Sequence, residues 1–338
     1  MKNVVLGLVK GYAFEQIRPF VASLRATDYA GDICLFYSDL DESTVNSLRE
    51  YDVDMVPFTM GTVNLGFKRI YIFSLLQRIS HTLGVVFPVH RLFAGLVNTL
   101  ASRSKKGEEY LAKCRIAAKS FNVYCVRFPL YYLYLAQNRG RYANVMLTDV
   151  RDVIFQRDPF AFEFGDDLCV FIEDDRQKME DCPYNSEWLK TGFGEDVLRE
   201  IGNEIPSCSG TTIGGYQAIM EYLELMVDQM LQLKSHPSGM DQGVHNYLLY
   251  KQQLKNVRIF QNRLGPVFTM GKTVDLPTAF DDEGFVLNKD GSIAHVLHQY
   301  DRHFELGKLE WSEGLETIKL RSPNHLPPEN IKPSAGLA

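Results

Sequence analysis

The chain has 338 residues, 45% hydrophobic and 23% charged, an ordinary globular composition with enough length to bury a large core. Its net charge is −6. The acidic balance and the lack of a Lys/Arg stripe exclude nucleic acid as the expected partner and argue against a diffusely basic membrane-binding surface. From the N-terminus, Val4 to Val9 reads as a buried strand, followed by a helical pattern with Phe14, Ile17, Phe20, Val21 and Leu24 on one face. Pro19 inside that pattern predicts a late start or a bend. Ile33 to Tyr37 is a second strand, DESTVNSLREYDV a short helix capped by Asp41 or Ser43, and Asp54 to Phe58 a third strand. That alternation is the pattern of a parallel α/β layer.

From Phe67 to about Ala136 the pattern is helical. The stretch 83–100 is interrupted by His90, Arg91 and Asn98, too broken for a membrane span. Residues 81–105 read either as a buried helical insertion or as an amphipathic surface helix in peripheral contact with a membrane. With no leader-like N-terminus and no CxxC pair among the six cysteines, the expected location is cytoplasmic, membrane-associated at most, and the thiols are expected to be buried. Tyr142 to Leu147 is the next strand, and Asp167 to Ile172 another, ended by Glu173, Asp174 and Asp175. Ser207 to Gly215 is a compact Ser/Thr/Gly segment before a long helix, and Asp241 precedes the short helix GVHNYLLY, where an N-cap role is the simple reading. Short runs (VRIF, PVFTM, FVLN, IAHVL) follow, and 321–338 carries four prolines with little periodicity.

Ligands of open α/β sheets collect at the carboxyl ends of strands. Asp149 and Asp152 stand there, just past the strand 142–147, and hard divalent cations take carboxylate oxygens together with phosphate oxygens. The plainer alternative is an acidic turn. Arg151 balances its neighbours or clamps a phosphate.

Four stretches occur in order: TDVRDVIFQRDPF (148–160), CSGTTIGG (208–215), MDQGVHNYLLY (240–250) and AHVLHQYDRH (294–303). With the N-terminal layer they resemble nucleotide-sugar-dependent glycosyltransferases of the GT-A type over about residues 3–303. The resemblance implies an α/β fold: a GT-A-like, single Rossmann-type mixed sheet flanked by helices, with a helical insertion around 67–136. The catalytic domain would span 1–305, its nucleotide-binding half about 1–160 and its acceptor-side half about 161–305, with a partly loose extension over 306–338. It also implies transfer of a sugar from a nucleoside-diphosphate sugar, UDP-sugar favoured, to a hydroxyl of a carbohydrate, glycolipid or small glycoside. The cofactor would be Mn2+ or Mg2+, and the outcome leans towards retention of configuration.

The same resemblance carries the site residues. Asp152 aligns with the metal-ligating aspartate of the family's DxD motif and Val150 with its first position, which leaves Asp149 to reach the metal through water or to hold ribose or sugar. His298 is the further metal ligand, with His295 as the alternative; on a continuous strand the two point to opposite faces. A histidine ligand favours manganese. Val9, Lys10, Tyr12, Asp149, Val150, Arg151, Ser209, Gly210 and Arg302 are expected around the donor. Asp241 and Gln242 are expected at the reacting sugar or acceptor, and Arg127 at the donor phosphates, its alternative being a rim salt bridge. Two other functions fit the same sheet: a sugar-nucleotide nucleotidyltransferase, whose Gly-rich basic loop is missing from LVKGYAF, and a non-catalytic nucleotide-sugar or carbohydrate-binding module.

Overall fold

The computed structural model describes residues 1–65, 68–71, 89–233, 237–271, 280–302, 309–311 and 318–320, with backbone alone at 62–65, 68–71, 89–90, 309–311 and 318–320. The described strands begin with β1 (Lys2–Lys10), β2 (Asp32–Ser38), β3 (Val53–Pro57), β4 (Thr62–Leu65), β5 (Lys68–Tyr71) and β6 (Tyr142–Thr148). They continue with β7 (Val153–Phe155), β8 (Leu168–Ile172), β9 (Ser207–Gly215), β10 (Val257–Phe260), β11 (Val267–Thr269) and β12 (Val296–His298). Seven strands form one sheet in the order β10-β8-β9-β6-β1-β2-β3. β3, β2, β1 and β6 are mutually parallel, β9 runs antiparallel to both β6 and β8, and β10 is parallel to β8. This mixed, Rossmann-type sheet flanked by helices is the GT-A-like architecture that the sequence predicted.

The run VVLGLV is apolar throughout because both of its faces are covered. Val4 and Leu6 pack into one cluster, with the helices Arg127–Gln137 and Tyr216–Gln232, while Val5 and Val9 pack into the other, with the helix Phe14–Arg25. That last helix begins at Phe14 and contains Pro19, so the expected late start does not occur. The segment 207–215 is a correction: it is a nine-residue strand buried along its whole length. Its Ser, Thr and Gly content hides it because a strand between two others, covered on both faces, has no polar face to alternate with.

The expected insertion opens with the antiparallel pair β4–β5 instead of a helix. The helices Val89–Ala101 and Glu109–Ser120 then lead to Arg127–Gln137; residues 72–88 of the expected insertion lie outside the described residues. Among the described residues no helix is long and apolar enough to cross a membrane. Val89–Ala101 does leave Leu92, Leu96 and Leu100 exposed on one side. All six cysteines are buried and none forms a disulfide. Much of the expected extension 306–338 lies outside the described residues; within it Leu309–Trp311 and Ile318–Leu320 form an antiparallel pair.

Candidate active site

Strand register brings distant residues together where β6 ends. The turn 149–152 leads from β6 into β7, which pairs antiparallel with β12 so that Val153 faces His298. Gln299 N–H donates to the Asp152 carbonyl at 2.6 Å, locking the two segments one residue further along. On the other side Thr148 faces Thr211 of β9, and Asp149 N–H donates to the Gly210 carbonyl at 2.8 Å. Asp149, Asp152 and His298 therefore converge, each offering a ligand atom within 4.8 Å of the others.

The donor set suits a divalent cation. His298 is fully buried, its Nε2 has no hydrogen-bond partner, and it points to Asp149 Oδ2 at 3.5 Å. Its Nδ1 lies 3.6 Å from Cys208 Sγ, which fixes the ring. An unpartnered buried nitrogen costs about 1–3 kcal/mol unless something else satisfies it. Gly210 makes room: a Cβ there would stand 2.5 Å from Asp149 Oδ2 and 2.8 Å from His298 Nε2. Burial and the neighbouring Asp149 and Asp301 carboxylates raise Asp152, with His298 opposing. For Asp149 burial also acts upward, but Arg127 and His298 outweigh it and hold the carboxyl well below its ordinary range.

Arg127, at the start of the helix Arg127–Gln137, joins two carboxylates: one guanidinium nitrogen pairs with Asp149, the other with Asp241. The Arg127 side chain is 12% exposed and Asp241 is buried, so that pair is buried, while Asp149, its side chain 37% exposed, meets the same guanidinium from the cleft side. Asp241 lies one residue inside the helix Met240–Tyr250, whose N-cap is Gly239 in the left-handed region (φ 79°), which corrects the capping reading. The Asp241 carboxylate, 5% exposed, also accepts from Ser209 Oγ at 3.2 Å. Burial raises Asp241 and Arg127 opposes the rise. Beside it, Gln242 Nε2 donates at 3.1 Å both to Glu173 Oε1 and to Asn185 Oδ1. Both partners accept, so the Gln242 amide nitrogen is engaged on both sides.

These groups line a cleft of about 770 Å³. Tyr12, Arg127, Asp149, Val150, Arg151, Asp152, Ser209, Gly210, Asp241, Gln242 and Arg302 all border it, and His298 stands behind Gly210. Arg302 reaches Asp152 Oδ2 at 3.6 Å, and Arg151 pairs with Asp301 at 3.0 Å. Val150 sends its side chain into the core beside Gly7. Three expected residues lie elsewhere. Val9 is fully buried in the core, and Lys10 pairs with Asp39 at 2.8 Å, because β1 continues to Lys10 alongside β2. His295 faces away from the cluster, its Nδ1 against the Asp158 carbonyl at 3.1 Å and its ring against Phe162.

Glu173, Tyr124, Tyr184 and Trp188 also line the cleft, and the sequence reading assigned them no role. For Glu173 a signal existed, since it ends β8 as Asp149 ends β6, and the same strand-end rule applies to both. The aromatic residues carry no such signal, because nothing in their spacing separates them from core residues.

No protein-family model and no curated protein sequence matches the chain. Among solved structures it is similar to the galactosyltransferase LgtC in complex with donor and acceptor sugar analogs (12% identity, 92% of this chain and 90% of that one, TM-score 0.42). It is also similar to core-mannan synthase A from Aspergillus fumigatus in its Mn/GDP form (14%, 77% and 73%, TM-score 0.38). A further likeness is to the glycosyltransferase GlyE of Streptococcus pneumoniae TIGR4 (12%, 95% and 58%, TM-score 0.39). Likenesses this distant leave the site to be judged on its own residues.

Proposed function

We propose that the chain is a divalent-metal-dependent glycosyltransferase that moves a sugar from a nucleoside-diphosphate sugar to an acceptor hydroxyl. The observation that carries this reading is the convergence of Asp149, Asp152 and the unpartnered Nε2 of His298 at the edge of a polar cleft. Two carboxylates and one imidazole suit manganese better than magnesium, which prefers an all-oxygen shell. When bound, the metal would supply Lewis-acid stabilisation of the diphosphate leaving group.

The chain's own residues divide the remaining tasks. Arg302 lies beside Asp152 and Arg151 beside Asp301; both line the cleft, and they are the cations suited to leaving-group charge. Arg127 is committed to Asp149 and Asp241, so it orders these two carboxylates instead of gripping phosphate. Asp241 and Gln242 line the cleft beside Arg127; both suit hydrogen bonds to hydroxyls of the transferred sugar or the acceptor, and only the Asp241 carboxylate can take a hydroxyl proton. Ser209 holds Asp241, while Glu173 and Asn185 hold Gln242, so both are fixed before substrate arrives.

The test is release of nucleoside diphosphate from a panel of UDP- and GDP-sugars mixed with a panel of glycoside acceptors, with and without EDTA. The reading requires release that EDTA stops and added manganese restores. A chain that binds nucleotide sugars but releases no diphosphate under any condition would instead be a binding module.

A further inference from the structure

The large apolar side chains exposed among the described residues include two aromatics, Tyr124 and Tyr184, and both line the cleft. Contacts already described link the residues of its wall. Asp152 and His298 mark one end; Asp149 connects through Arg127 to Asp241, and Gln242 beside it reaches Asn185. Asn185 neighbours Tyr184 on the helix Pro183–Phe193, and one turn later that helix presents Trp188. The Tyr184 and Trp188 rings stand 6.1 Å apart, tilted by 35°, and Trp188 packs on Gly239 and Gly243, the glycines that flank Asp241 and Gln242.

Trp188 is held by the backbone facing it. A Cβ on Gly239 would come within 2.2 Å of its Cζ2, and one on Gly243 within 2.9 Å of its Cβ. Gly239 also sits at a positive φ, where glycine is favoured, so this close approach belongs to the local chain path. The indole is therefore seated before any ligand arrives. Tyr184, 63% exposed, extends the aromatic surface from the seated indole towards solvent. Glu173, 5% exposed, and Asp241 border the same cleft as acceptors for hydroxyl donors.

Resting on the transferase reading above, we propose that Tyr184 and Trp188 form the acceptor subsite and that the acceptor presents a pyranose. A pyranose offers C–H groups on its faces and hydroxyls round its edge. Flat aromatic rings beside buried carboxylates match both, in the way pocket aromatics supply area and a few polar groups supply orientation. The end of the cleft near Asp152 and Arg302 is left to the diphosphate.

The chain has two tryptophans, so Trp311→Phe leaves Trp188 as the sole indole reporter. Methyl β-galactopyranoside, methyl β-glucopyranoside and methyl α-mannopyranoside are titrated into that variant with UDP or GDP and manganese, following indole emission. At least one glycoside is expected to change the emission saturably. Adding Tyr184→Ala should weaken that response about tenfold, the scale of one lost aromatic contact, while Tyr184→Phe should retain it. In transfer assays the Tyr184→Ala loss should fall on the acceptor KM and not on the donor KM. Turnover of nucleotide sugar with no glycoside response and an unmoved acceptor KM would overturn the subsite. A saturable response that depends on Tyr184, in a chain that turns over no nucleotide sugar, would keep the carbohydrate subsite and overturn the transferase reading.

Discussion

His298 Nε2 stands 3.5 Å from Asp149 Oδ2, fully buried and without a hydrogen-bond partner, although the two residues are 149 positions apart in the chain. The pairing of β7 with β12 and of β6 with β9 creates this proximity. A buried imidazole and two carboxylates converging on one point form a donor set suited to a cation.

Removing one charge from the cluster should separate chemistry from folding. Asp152→Asn keeps the side-chain shape, so the thermal midpoint should hold within about 2–4 °C, the shift expected for roughly 1 kcal/mol. Turnover that manganese stimulates should disappear. Scanning fluorimetry and diphosphate release check the two halves; full activity in this variant would remove Asp152 from the site.

Gly210 is expected to be irreplaceable for a steric reason. Gly210→Ala places a methyl group 2.5 Å from Asp149 Oδ2 and 2.7 Å from His298 Cε1. The side chains must shift, at about 1–3 kcal/mol as in other overpacked sites. Urea unfolding measures that cost, and manganese affinity should fall with it.

Arg127 is itself buried and joins a buried carboxylate, Asp241, to a part-exposed one, Asp149, so its loss should cost more than that of a surface cation. Arg127→Met leaves Asp241 buried with Ser209 but no cation against it, and breaking a buried pair from one side costs about 3–5 kcal/mol. Arg127→Lys should recover only part of this, because an ammonium cannot span both partners as a planar fork does. Equal unfolding midpoints for the two variants would contradict the bridging role.

Acid sensitivity should have a specific source in His245. It is fully buried, with Nδ1 2.8 Å from Tyr222 Oη and Nε2 3.0 Å from Ser207 Oγ. Burial, with Arg127 adding to it, lowers its pKa from 6.5 to about 3. Between those values the unfolded chain binds a proton that the fold refuses. The stabilisation is therefore complete above pH 6.5 and is lost as pH falls towards 3. From pH 7 to pH 5 the wild type should lose about 2 kcal/mol more stability than His245→Gln. Parallel pH profiles for the two proteins would exclude His245 as the source.

The parts of this site that the sequence reveals are those carried by strand ends. Asp149 and Asp152 follow an apolar run, so strand-end position points to them, with an acidic turn as the alternative, while the family resemblance selects His298 over His295. The first half of the sheet was legible for the same reason, since its strands are apolar and alternate with helices. What stayed hidden depends on register and packing. β9 carries Ser, Thr and Gly inside the sheet, and β7 has three residues, too few for a period to show. Arg127 reads equally as phosphate ligand or salt bridge until Asp149 and Asp241 are seen on either side of it. Nothing in the spacing of Tyr184 and Trp188 distinguishes a cleft wall from a helix face in the core.

Electron paramagnetic resonance of manganese(II), titrated into the EDTA-treated chain with UDP or GDP present, bears most directly on what the cluster holds. The expected result is loss of the free-ion signal at a single saturable site, abolished in Asp152→Asn and weakened in His298→Ala. A wild-type chain that leaves the free-ion signal unchanged, or variants that bind the ion as the wild type does, would contradict a metal held by Asp149, Asp152 and His298.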